Sequence, residues 1–294
     1  MGKLLENTCR GSSSLRNIRS GVQMSTEAIA ALPMYDFPGL REAHDRLWNA
    51  LGTQLQRYGV HPVPGKLTRG LSHRETWAHP GLLFGQACEY PLSKSLAGQL
   101  KIVATPRYGA PGCVDANYRS AIVVRTEDTA RSLDDLRNRR CVINEVDSNS
   151  GMNLLRAAVA PLASGGRFFG SVQVSGAHRN SLDLLVAGKA DVTAIDCVTL
   201  AHLRGFEPAL VSRVRIVDWT PASPCLPYVT SRHASEATVE ALQSAIAAVF
   251  SDPALSSVYD LLLLKGVNLS TDNTFSRIRE LELEAEEWGY PTLS

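Results

Sequence analysis

Ser148, Asn149, Ser150 and Gly151 bring two hydroxyls, an amide and a glycine to the point where an apolar run, Cys141-Val142-Ile143, gives way to a helical pattern of Leu154, Leu155, Ala158, Val159 and Leu162. A helix start carries backbone N–H groups without intrahelical acceptors, and the positive end of the helix dipole. Short polar donors at that point make a cradle for an oxyanion. Gly151 lets the backbone approach a ligand with no Cβ in the way, and the N–H groups of Gly151 and Met152 would complete the cradle. Hydrogen bonds to a charged group contribute roughly 1.5–3 kcal/mol each. Four or five therefore reach the approximately 8 kcal/mol of a micromolar complex after ordering costs. The same residues also suit an ordinary N-cap, with Ser148 or Ser150 closing its own helix.

The elements that must position this cradle alternate along the chain. Apolar runs predict strands over 28–32, 82–84, 100–105, 120–125, 140–143, 171–174, 192–196, 214–217 and 226–230. Between them, Leu40, Ala43, Leu47, Leu51 and Leu55 recur every three or four residues ahead of Gly59, as in a capped helix. Further helices are predicted over 133–137, 151–163, 179–187, 197–204, 236–250, 254–264 and 274–288. The alternation implies an α/β fold with largely parallel sheets and ligands beyond the carboxyl ends of strands. Two Pro/Gly-rich stretches, 105–112 and 220–227, interrupt it. They divide the chain into a lobe of 25–112 with 223–294 and an inserted lobe of 113–222, joined by two crossings that can hinge. Residues 1–24, rich in Ser and Arg and without periodicity, read as a disordered tail.

Composition narrows the function classes. The 294 residues carry 30 Lys plus Arg against 29 Asp plus Glu, so no overall charge points to nucleic acid or an anionic membrane surface. No 18-residue apolar run is present, so no membrane insertion is expected. The polar first 23 residues lack the apolar core of an export signal, which suggests a cytoplasmic protein. The six cysteines are dispersed, with no C-x-x-C pair, and read as small buried apolar residues. His73 and His79 lack a third ligand at a fixed spacing, so neither a metal nor a cofactor is expected.

The succession Leu32-Pro33-Met34-Tyr35-Asp36, Gln86-Ala87-Cys88-Glu89-Tyr90-Pro91, Tyr118-Arg119-Ser120, residues 144–153, Ser175-Gly176-Ala177-His178 and Gly188-Lys189-Ala190-Asp191-Val192 resembles the phosphate/phosphite/phosphonate-binding proteins of ABC transporters. These are type 2 periplasmic binding proteins. The resemblance runs from about Ala28 to the C-terminus. It implies a two-lobed fold, one lobe inserted into the other, that closes on a small phosphorus-containing oxyanion and delivers it to a permease. It also implies a periplasmic location. Glu89 departs from the small residues expected within the Gln-x-Cys-x-Tyr-Pro segment. A carboxylate beside the cleft would repel a phosphate-like dianion unless it meets a ligand amine or points away.

Further ligand contacts follow from placement. Tyr35 lies past the first strand, where its phenol can donate to an oxyanion. Tyr118 and Arg119 stand where the chain enters the second lobe, and a guanidinium suits bidentate oxyanion binding. His178 opens a helix after a strand, with Ser181 on its first turn. Asp196 ends a strand, where it can accept a proton from the ligand, bind its amine, or cap the helix beginning at Cys197. Thr76 and Trp77 lie in a segment that the resemblance places along the cleft, and Arg69 and Gln86 are further contacts. Two other functions fit the same scaffold. One is a cytoplasmic biosynthetic enzyme using Asp196, Cys197 and His178 as acid, nucleophile and base. The other is a cytoplasmic anion sensor.

Overall fold

The computed structural model describes residues 27–269 and 275–294; the tail expected over 1–24 lies outside the described residues. The strands are β1 (Ile29–Ala31), β2 (Leu82–Gln86), β3 (Leu100–Tyr108), β4 (Asn117–Tyr118), β5 (Ser120–Arg125), β6 (Arg140–Ile143), β7 (Ser171–Val174), β8 (Val192–Asp196), β9 (Val214–Trp219), β10 (Ser223–Pro224), β11 (Tyr228–Ser231) and β12 (Leu264–Asn268). The helices are α1 (Arg41–Arg57), α2 (His73–Ala78), α3 (Glu89–Ser93), α4 (Leu154–Val159), α5 (His178–Val186), α6 (Cys197–Phe206), α7 (Pro208–Val211), α8 (Glu236–Phe250), α9 (Ser256–Leu261) and α10 (Ser276–Glu287). Among the described residues no helix is long and apolar enough to cross a membrane.

Two five-stranded sheets form the two lobes, ordered β1-β2-β11-β3-β12 and β7-β6-β8-β5-β9. The short antiparallel pair β4/β10 joins the two crossings, with Tyr118 opposite Ser223. The sheets are mixed, which corrects the expectation of largely parallel pairing. β1/β2, β6/β7 and β6/β8 are parallel, whereas β11 runs antiparallel to β2 and β3, and β5 runs antiparallel to β8 and β9. The reason is topological: β5 and β11 each follow a crossing and enter a sheet against the direction of its neighbours.

The helix predicted over 254–264 is also shorter than expected. Leu263 adopts a positive φ of 56°, ending the helical stretch, and β12 pairs antiparallel with β3 along the sheet edge. Residues 133–137 hold only a 3-10 turn at Asp134–Leu136. Helix α1 buries its predicted face, Ala43, Leu47, Leu51 and Leu55, and Gly59 takes the left-handed conformation at its end with φ 78°. The terminal helix α10 packs on α3 of one lobe and on α4 of the other. The Ser294 carbonyl accepts from the Phe168 and Phe169 amides, so the C-terminal segment reaches the inserted sheet's side of the molecule.

Candidate functional site

Between the lobes lies a cleft of about 450 Å³, within the range of small-molecule sites. One wall carries Met34, Tyr35, Phe37, His73, Arg74, Trp77, Cys88 and Leu226; the other carries Asn144, Glu145, Asp147, Ser148, Ser150, His178, Arg179, Asp196 and Thr199. Of the residues selected from sequence, Tyr35, Ser148, Ser150, His178 and Asp196 line this cleft together, with Trp77 beside them.

The predicted helix start is a π-helical turn, Asn149–Asn153, feeding into α4. Its wide winding sends the amides of Asn153 and Leu154 to the carbonyls of Ser148 and Asn149, a form that recurs at functional sites. The Gly151 amide is not free, in contrast to the expectation: it donates to Ser148 Oγ at 3.0 Å, so Ser148 is indeed a cap. Glycine is needed at 151 for a reason the sequence hid. A Cβ there would stand 1.8 Å from Asn144 Oδ1 and 3.3 Å from the His178 ring.

Ser150 Oγ lies 2.8 Å from His178 Nε2 and 3.4 Å from Ser148 Oγ. Burial lowers the His178 pKa to about 4, so the ring is neutral at pH 7 and can exchange donor and acceptor roles with Ser150. Across the cleft, Tyr35 Oη donates to Asp196 Oδ2 at 3.1 Å. Asp196 also caps α6, with Oδ1 accepting the Thr199 amide at 2.8 Å. Asp196 is thus the cap of α6 and also part of the cleft wall. Burial raises its pKa to about 6, opposed by the Thr199 amide and the Tyr35 hydroxyl.

Six other expected contacts fall elsewhere. Asn149 is fully buried; its Nδ2 donates to Tyr118 Oη at 3.1 Å and Ser223 Oγ at 2.8 Å, so Asn149 and Tyr118 tie the π turn to both crossings instead of lining the cleft. Arg119 is exposed on the crossing, outside the cleft lining. Gln86 Nε2 is spent on Tyr108 Oη and the Leu226 carbonyl. Thr76 is buried on α2 and lines a neighbouring cavity of about 400 Å³ with Arg69, Ser72 and His73. Arg69 is held there by Asp36 and Asp45. His79 Nδ1 accepts the Gly81 amide, and no group of three metal-ligating side chains occurs among the described residues.

Glu89 points away. Cys88 lines the cleft, but Glu89 is 1% exposed, both carboxyl oxygens lack a hydrogen-bond partner, and burial pushes its pKa well up.

The segment that the resemblance places along the cleft forms a helix the sequence reading did not predict, α2, which presents His73, Arg74 and Trp77 to the cleft. The signal was present as a capping box, Ser72-His73-Arg74-Glu75, in which Ser72 Oγ accepts the Glu75 amide and Glu75 accepts the Ser72 amide. Arg74 then forms an ion pair with Asp147 across the cleft. Arg179, also on the cleft wall, is held by Glu207 and Asp183. Asp36 is likewise paired, with Arg41 and Arg69. The arginines of this wall are therefore paired with carboxylates, and the hydroxyls and imidazole of Ser148, Ser150 and His178 lie beside Asp196 and Glu145.

The family model described as the periplasmic substrate-binding protein of ABC phosphonate transporters matches residues 29–275. No curated protein sequence matches the chain. Among solved structures, a binding protein component of an ABC phosphonate transporter from Pseudomonas aeruginosa is similar with a TM-score of 0.70 and 16% identity, covering 90% of this chain and 88% of that one. PhnD1 from Prochlorococcus marinus, in complex with methylphosphonate, has a TM-score of 0.68 and 14% identity, covering 88% and 98%. A Xanthomonas citri protein bound to ATP has a TM-score of 0.67 and 15% identity, covering 90% and 98%. At these identities the structural likenesses establish the two-lobed fold. With the family model spanning most of its length, the chain belongs to the periplasmic phosphonate-binding substrate-binding proteins of ABC transporters.

Proposed function

We propose that this protein captures a small phosphonate or phosphate-like anion between its lobes, and that Ser148, Ser150, His178 and the amides of Ser150 and Met152 hold the oxyanion. The observation that carries this reading is the Ser150–His178 contact of 2.8 Å at the start of the π turn, inside the cleft. Tyr35 and Asp196 face the substituent on phosphorus, and the carboxylate favours a ligand with an amine there. The hinge lies at the two crossings, dividing 25–112 and 223–294 from 113–222, with Asn149 anchored to Tyr118 and Ser223 between them.

Family membership supports a periplasmic location and delivery to an ABC permease, in place of the cytoplasmic one suggested by the polar first residues. Binding, not catalysis, is the output. Cys197 is 1% exposed, and its contact with Cys113, burial and Asp196 all push its thiol up, so it is a poor nucleophile at neutral pH.

Thermal-shift measurements with phosphate, phosphite, methylphosphonate, aminoethylphosphonate and sulfate test the proposal. A ligand at about 100 times its Kd adds roughly 2.7 kcal/mol to the folded state. Stabilisation by the phosphorus anions above sulfate is expected; a flat response to all five contradicts it.

A further inference from the structure

Three of the dispersed cysteines converge where the crossings pass the first turn of α6. Cys113 follows the first crossing and is partly exposed; Cys197 opens α6; Cys225 lies on the second crossing, and both of the latter are 1% exposed. Cys113 Sγ and Cys197 Sγ are 3.4 Å apart. The backbone holds them there. The Cys113 amide donates to the Ala110 carbonyl, and the Cys197 amide donates to the Arg119 carbonyl. Gly112, with φ 105°, lies so close to α6 that a Cβ on it would stand 3.0 Å from the Cys197 Cβ and 2.6 Å from the Trp219 ring. Among the described residues, Cys88 and Cys141 make no such contact with another cysteine sulfur.

We propose that Cys113 and Cys197 are a redox modification site, oxidised to an intramolecular disulfide by exchange with a small-molecule or protein disulfide. Cys113 reacts first because it alone of the three is accessible. Its thiolate attacks the S–S bond of glutathione disulfide, forming a mixed disulfide and expelling one glutathione thiolate. The Cys197 thiolate then attacks the Cys113 sulfur, forming the Cys113–Cys197 bond and expelling the second. The two protons lost by the cysteines pass to the glutathione thiolates; the cysteine pair loses two electrons and glutathione disulfide gains them. Both thiols are held protonated. For Cys197 the Cys113 contact raises the pKa first, then burial; for Cys113 the Cys197 contact lowers it, outweighed by Cys225 and burial. Exchange is therefore slow at neutral pH and faster in alkali. The bond pins the first crossing to the helix whose cap, Asp196, lines the ligand cleft.

The test is non-reducing peptide mass spectrometry of the full chain, equilibrated with reduced and oxidised glutathione at pH 8.5 and alkylated on quenching. The expected product is a Cys113–Cys197 linked peptide, two hydrogens lighter, with Cys141 alkylated. Cys225→Ser keeps that link, and Cys197→Ser leaves a glutathione adduct on Cys113. A glutathione adduct on Cys113 of the unaltered chain, a Cys113–Cys225 link in its place, or free thiols throughout at an oxidising glutathione ratio overturns the proposal. None of these results bears on whether the cleft takes a phosphorus anion.

Discussion

Tyr35 and Asp196, 161 residues apart and on opposite walls of the cleft, share a buried hydrogen bond of 3.1 Å. It joins the loop after the first strand to the cap of α6. The same carboxylate therefore caps the helix, bridges the lobes and lines the cleft beside Ser148 and Ser150.

Asp196 makes stability depend on pH. Burial raises its pKa from 3.8 to about 6, so the folded chain holds this proton more tightly than the unfolded chain. Its contribution is complete below the unfolded value and is lost as pH rises through the folded one, by roughly 3 kcal/mol. Asp196→Asn removes that loss and keeps a capping side chain. Melting curves should show the variant ahead at pH 8, with the difference closing towards pH 4. Its affinity for aminoethylphosphonate should fall while that for phosphate holds or rises.

The histidines act in the opposite direction. Burial lowers His44, His178 and His202 from 6.5 to about 4 each, with Arg69 adding to the effect at His44 and His44 adding to it at His202. The unfolded chain takes up these protons first, so stability drops as pH falls from 6.5 towards 4, by roughly 3 kcal/mol per residue at full effect. His202 packs against Tyr35 and Phe37 across the lobes. In His202→Gln the fall in Tm between pH 7 and pH 5 should be smaller than in the parent; an equal fall refutes this assignment.

Glu89→Gln should stabilise the protein above neutrality. Burial raises the Glu89 carboxyl pKa, so the folded chain holds this proton more tightly than the unfolded chain, and the stability that goes with it is lost as pH rises. Denaturant titrations at pH 5 and pH 8 should show a gain that widens at the higher pH, with ligand affinity unchanged. A loss of affinity would place Glu89 in the site.

Gly151→Ala drives a methyl into Asn144 Oδ1. Overpacking of this kind costs about 1–3 kcal/mol, and the shift of Asn144 should weaken anion binding tenfold or more. Adding Asn144→Ala to Gly151→Ala should recover part of the lost stability, measured as a double-mutant cycle.

The strands at 120–125, 140–143, 171–174 and 192–196 were legible residue for residue because each is a short apolar run bounded by turn residues. So was the buried face of α1, through its helical spacing. What could not be read are relations between distant residues. Asn149 looks like a ligand donor until Tyr118 and Ser223 are brought against it, and Gly151 looks like a free amide until Ser148 turns back on it. Strand direction was hidden too, because β5 and β11 inherit their sense from the crossings and not from their own residues. The Cys113, Cys197 and Cys225 cluster has no sequence signature, since its members come from three separate segments. The Ser72–Glu75 capping box, in contrast, was visible in the residues and would have revealed α2.

Isothermal titration of methylphosphonate into the parent chain and Ser150→Ala tests the central claim most directly. One charge-assisted hydrogen bond corresponds to roughly 1.5–3 kcal/mol, about a ten- to hundredfold change in affinity. The account predicts saturable one-site binding to the parent and weakening of that size in Ser150→Ala, with the variant's melting temperature close to the parent's. Binding of equal strength in both proteins would contradict it.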